Sequence, residues 1–102
     1  MKVNVALFGL GRIGMMHAKN IHQHPKFKLK YIYDVDQKIS LKASKKFNTK
    51  NITKPSFAFK DKNLDVIFIA SSTATHIPFI EDSVKYKKVV FCEKPLDLNI
   101  KK

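Results

Sequence analysis

The 102-residue chain is predicted to form a doubly wound α/β domain, in which one parallel sheet carries helices on both faces. Three observations carry that expectation. Short runs of strand-forming residues alternate with stretches of helical apolar spacing along the whole length, and several of those runs are apolar on both sides, as strands covered above and below must be. The chain also has only three glycines, and all three stand together just after the first apolar run. Such alternation calls for parallel pairing through right-handed crossovers.

Each element has its own justification. Val3 to Phe8 is interrupted only by Asn4, is rich in strand formers and stops at Gly9. Gly14, Ala18 and Ile21 then recur at i, i+4 and i+7, placing small residues where a helix lies close to a sheet, and Pro25 closes that segment. Leu29 to Tyr33 is the second strand, with Lys28 and Lys30 on its wetter face, and it runs into Asp34. Ile39, Ala43 and Phe47 predict the second helix. The stretch from Asn48 to Lys62, with Pro55 and scattered polar residues, is expected to hold a short edge strand and a helical turn. Val66 to Ala70 is the strongest buried-strand signal and opens into Ser71-Ser72-Thr73. The next helix is expected to bury Ile77, Ile80 and Val84. Pro78 suits its first turn, Glu81 and Asp82 lie early, and Lys85, Lys87 and Lys88 lie late, as the helix dipole favours. Val89 to Cys92 is the last strand and ends at Glu93-Lys94-Pro95.

Composition narrows the function classes. Hydrophobic residues at 44% and charged residues at 27% are ordinary for a packed single domain and argue against a disordered tail. The Val66 to Ala70 run falls far short of the roughly 20 residues a bilayer crossing needs, so no membrane partner is expected. No cleavage site follows the N-terminal apolar run, which predicts a cytoplasmic domain. Cys92 is the only cysteine, so neither a disulfide nor a cysteine-rich metal site can form within the chain, and Cys92 itself reads as apolar filler. The formal charge is +12, yet nineteen of the twenty basic residues are lysine. Base-reading surfaces lean on the planar fork of arginine, so this excess argues against a nucleic-acid partner and fits an adenine- and thymine-rich coding sequence.

The chemistry gathers at the strand ends. Gly9-Leu10-Gly11-Arg12-Ile13-Gly14 is a GxGxxG turn between a predicted strand and a predicted helix. Its first glycine permits the tight turn, its second lets backbone approach a pyrophosphate, and its third lets helix and strand pack closely. Free N–H groups and the positive dipole end of the helix then face the phosphates. Asp34 follows the second strand, where a carboxylate accepts hydrogen bonds from an adenosine ribose and repels a 2′-phosphate. This favours NAD over NADP, although Lys38 stands within reach of a phosphate. Ser71, Ser72 and Thr73 follow the fourth strand and are suited either to border the ribose and nicotinamide or to cap the next helix. His76 reads equally as a local helix-start residue. Lys94 is placed to orient a substrate hydroxyl or stabilise charge as a proton leaves, with Pro95 holding it extended.

The opening strand with GLGRIG and His17-Ala18, Asp34 after the second strand, DVIFIASSTATH and VFCEKPLDL together resemble the Gfo/Idh/MocA oxidoreductases, and within them the inositol 2-dehydrogenases. The resemblance covers essentially the whole chain. It implies a Rossmann-type NAD(P)-binding domain over residues 1–102, from enzymes that move hydride between a nicotinamide dinucleotide and a secondary alcohol of a sugar or polyol such as myo-inositol. It also implies that Gly9, Gly11, Arg12, Ile13, Asp34, Ser72, Thr73, His76 and Glu93 line the cofactor path, with Lys94 catalytic beside nicotinamide and substrate; Gly14 and Ser71 join the cofactor set by their places in the glycine turn and the loop after the fourth strand. Family members continue into a C-terminal α/β domain that supplies an Asp, a proton-accepting His and a homo-oligomer surface. The chain is therefore expected to be an N-terminal, catalytically incomplete piece of such an enzyme. The alternative is a noncatalytic NAD-binding module that senses redox state and signals through a partner.

Overall fold

The computed structural model describes residues 2–70 and 73–92, and for Thr73 to Pro78 and for Cys92 it describes the backbone alone. The elements run β1 (Val3–Phe8), α1 (Arg12–Gln23), β2 (Phe27–Tyr33), α2 (Gln37–Phe47), β3 (Lys50–Asn51), α3 (Ser56–Phe59), β4 (Val66–Ile69), α4 (Thr73–Lys85) and β5 (Val89–Cys92). The five strands form one sheet in the order β3-β2-β1-β4-β5, and every pairing is parallel. The chain steps outward from β1 to β3, then crosses back to lay β4 on the other side of β1. That reversal is the topological switch point, where open α/β sheets hold their ligands.

Alternating side chains divide the core in two. Val5 and Leu7 of β1 pack with Leu29 and Ile32 of β2 under Ala18 and Ile21 of α1 and Ala43 and Phe47 of α2. Ala6 and Phe8 point the other way, into Ile67 and Ile69 of β4, Ala58 and Phe59 of α3, and Phe79 and Ile80 of α4. Helices thus cover both faces, as the sequence predicts. Phe8 anchors the second layer through edge-on contacts with Tyr33, Phe59 and Phe79.

β2 starts two residues earlier than its apolar run predicts and carries one residue more than β1. Val5 pairs with Leu29 but Ala6 pairs with Tyr31, so Lys30 is an extra residue in the ladder. The bulge explains why Leu29 and Ile32, three residues apart, lie on the same face. The Leu29 carbonyl accepts a 2.5 Å hydrogen bond from the Thr49 hydroxyl at this irregularity. Lys30 is not on a wet face as expected. It is an ion-pair partner of Asp61.

Two helix expectations need correction. α4 begins at Thr73, so Pro78 lies inside the helix rather than in its first turn, and the helix forgoes the one hydrogen bond that proline cannot donate. Its buried face carries Ser83, fully covered, while Val84 is 69% exposed. α2 likewise turns Ser40 inward and leaves Ile39 40% exposed. Both serines return their hydroxyl to a carbonyl of their own helix, Ser83 to Phe79 and Ser40 to Gln37. A small side chain with its polar atom satisfied locally lets the helix approach the sheet, and apolar periodicity is blind to it.

Candidate functional site

All strands being parallel, their carboxyl ends lie along one rim, where the turns that follow β1 and β2 meet. Gly9 leaves β1 with φ 101°, a left-handed conformation that glycine adopts without strain. Its N–H donates to Tyr33 O at 2.8 Å, and Ala70 N–H donates to Phe8 O at 2.7 Å, which knits the ends of β2, β1 and β4 together. A Cβ built on Gly14 would lie 2.0 Å from Gly9 O, so only glycine lets α1 start this close to β1. Gly11 is different. A Cβ there meets nothing within 4 Å, so no packing among the described residues demands glycine, and the open backbone leaves room for a ligand.

Gly11 caps α1 in extended conformation with no side chain satisfying the helix start. The first intrahelical bond there runs from Met15 N–H to Gly11 O, so the N–H groups of Arg12, Ile13 and Gly14 precede any helical acceptor. Gly11, Arg12 and Ile13 are exposed. This is a turn that presents bare donors and a positive dipole end, which suits a phosphate.

Asp34 is tied to that turn. Its Oδ2 accepts from Leu10 N–H at 2.8 Å and its Oδ1 accepts from Asp36 N–H at 2.9 Å. The carboxylate therefore both shapes its own loop and holds the glycine turn, a structural duty that side-chain reasoning from sequence does not reveal. Asp36 in turn caps α2 by accepting from Lys38 N–H at 3.1 Å. Between them Val35 is 75% exposed, an apolar residue at the rim that sequence reasoning passes over. Its signal was its place in the Asp34-Val35-Asp36 turn. The bare Gly11 backbone beside N–H groups with no acceptor among the described residues, and with a fixed carboxylate next to it, fits the pyrophosphate and ribose of a dinucleotide.

The structure thus brings Gly9, Gly11, Arg12, Ile13, Gly14 and Asp34 to one rim. Thr73 and His76 fall in α4, described by backbone alone, and Ser71, Ser72, Glu93 and Lys94 lie outside the described residues.

A second polar cluster sits between β2 and the segment before β4. Asp61 Oδ2 accepts from the Tyr31 hydroxyl and pairs with Lys30 Nζ, both at 2.6 Å. The hydrogen bond from Lys30, then that from Tyr31, lowers the Asp61 pKa to about 2. Tyr31 is pushed up to about 12, first by its hydrogen bond to Asp61 and then by burial. Among the described residues no helix is long and apolar enough to cross a membrane.

Residues 3–102 match the Gfo/Idh/MocA oxidoreductase family, NAD-binding Rossmann fold. The myo-inositol 2-dehydrogenase of Thermotoga maritima is 36% identical over 99 residues, which are 96% of this chain and 30% of that protein. A myo-inositol dehydrogenase from Corynebacterium glutamicum shares the fold with a TM-score of 0.87 at 34% identity, over 96% of this chain and 29% of its own. The scyllo-inositol dehydrogenase of Lactobacillus casei, solved with NAD(H) and scyllo-inositol, gives 0.85 at 28% identity over 94% and 29%. The chain spans under a third of the length of each. A match running from residue 3 to residue 102, joined to a fold shared at this level, makes the chain a member of the Gfo/Idh/MocA oxidoreductases, in their NAD-binding Rossmann-fold domain.

Proposed function

We propose that this chain holds NAD along the strand-end rim as the nucleotide-binding part of an oxidoreductase acting on a secondary alcohol of an inositol-like polyol. The observation that carries the reading is the 2.8 Å hydrogen bond from Leu10 N–H to the Asp34 carboxylate, which locks a ribose-binding acid against a phosphate-binding turn at the switch point. The polyol class is supported by the inositol dehydrogenases among the relatives, at 36% and 28% identity.

In this reading the N–H groups of Arg12, Ile13 and Gly14 bind the pyrophosphate, and Asp34 accepts from the ribose hydroxyls. Exposed Val35 gives the adenine an apolar face. Ser71, Ser72, Thr73, His76 and Glu93 border the nicotinamide half. Lys94 holds the substrate oxygen as its proton passes to a base outside this chain. The dinucleotide, when bound, supplies the hydride acceptor; the residues supply position and charge.

Titration of the purified chain is expected to show NADH bound more tightly than NADPH. Asp34→Ala is expected to cut that preference by about tenfold, the worth of one good charge-assisted hydrogen bond. Equal affinity of the native chain for the two cofactors would overturn the assignment of NAD.

A further inference from the structure

Behind Asp34 lies an amide bridge that the cofactor contacts alone do not require. Gln37, the first residue of α2, donates its Nε2 to Asp34 O at 3.0 Å and to Ile52 O at 3.4 Å. With the amine end facing two carbonyls, its Oε1 must face Asn51, whose Nδ2 donates to it at 2.9 Å. That leaves Asn51 Oδ1 buried with no partner among the described residues. A flipped Asn51 amide would set oxygen against oxygen and break the bridge, so the arrangement is kept at the expense of an unpaired buried acceptor. One glutamine side chain thus fastens the turn after β2 to the end of the edge strand β3.

Resting on the reading that NAD occupies the rim, we propose that Gln37 is a positioning residue that acts through Asp34 to set the discrimination of NAD from NADP. The two cofactors differ by a phosphate on the adenosine ribose, and a chain of formal charge +12 attracts the more anionic one. Lys38 stands next in the chain. Discrimination must therefore be local, and it depends on a carboxylate that cannot swing aside. Both Asp34 oxygens accept backbone N–H groups, and its own carbonyl is held by Gln37, so side chain and peptide are fixed together. Released from Gln37, the Asp34 peptide loses its tie to the end of β3 and the carboxylate keeps only its bonds to Leu10 and Asp36 N–H, so the turn can yield to a 2′-phosphate.

The test compares the native chain with Gln37→Met, which keeps the side chain's length and removes its hydrogen bonds, and with Asn51→Ala, which frees Gln37 Oε1. Two readouts are taken: affinities for NADH and NADPH by calorimetric titration, and hydrogen exchange of the Leu10 and Asp36 amides in the free chain. The expected result for Gln37→Met is exchange about tenfold faster at both amides and an NADH-over-NADPH preference reduced about tenfold, with a smaller change of the same sign in Asn51→Ala. A loss of overall stability alone leaves the affinity ratio unmoved, because both cofactors meet the same folded fraction. If Gln37→Met does not fold, Asn51→Ala decides the matter by the same two readouts. An unchanged ratio or unchanged exchange overturns the role of Gln37 while leaving the NAD reading intact. Failure of the native chain to bind either cofactor overturns that reading, and this inference with it.

Discussion

At the scale of single residues, carboxylates do the ordering in this molecule. Asp34 fastens a turn through backbone donors, and Asp61 gathers Lys30 and Tyr31 at one point. The second cluster has a definite pH signature. Asp61 is lowered from 3.8 to about 2, so its stabilising share is complete above pH 4 and disappears as pH falls through about 2. Tyr31 is raised from 10.0 to about 12, so its share is complete below pH 10 and disappears as pH rises through about 12. Denaturant midpoints measured across pH are expected to fall at both ends. Asp61→Asn should remove the acid step and lower stability at neutral pH by about 1–2 kcal/mol, while Tyr31→Phe should remove the alkaline step. A midpoint indifferent to pH between 4 and 2 in the native chain would show that Asp61 is not held in this way. Sequence reading placed Asp34 at the rim by its distance from the glycines. It could not show that backbone N–H groups of two separate segments claim both oxygens, because such donors carry no residue type to read.

At the scale of elements, β1, α1 and the end of β4 follow directly from their residues. Apolar runs with no polar side can only be central strands, and Gly14 two positions into α1 leaves room for nothing but a crossing at contact distance. The misreadings share one cause. Apolar spacing points to Ile39 and Val84 and says nothing of Ser40 and Ser83, whereas a helix against a sheet sorts by size when the hydroxyl can bond its own backbone. The bulge in β2 was hidden for a similar reason, since nothing in the composition of an extra lysine marks it as unpaired. It has a measurable consequence. Without Lys30, Phe27, Leu29 and Ile32 would alternate regularly with Lys28, Tyr31 and Tyr33, and each would keep its present face. Deletion of Lys30 is therefore expected to leave the fold in place, at the loss of the Asp61 ion pair and about 1–2 kcal/mol, as read by circular dichroism and denaturant titration. Collapse of the fold on that deletion would mean that the extra residue is required by the sheet rather than accommodated by it.

At the scale of the whole molecule, the two halves of the sheet are joined by one long-range pairing. β1 to β3 are laid down in sequence, but β4 returns to β1 with Val66 opposite Val5, some sixty residues along the chain. The rim takes residues from both halves, since Phe8 O at its centre receives the Ala70 N–H while Gly9 N–H reaches back to Tyr33 O. A cofactor seated there can bind only the closed form, and its affinity is added to the stability of the entire fold. NADH at a hundredfold over its dissociation constant should contribute about 2.7 kcal/mol and raise the melting temperature by on the order of 10 °C. A melting temperature that ignores saturating NADH would detach the ligand from the rim. Bound at the proposed rim, the dinucleotide would act as a clasp across the two halves of the sheet that the crossing from β3 back to β4 brings together.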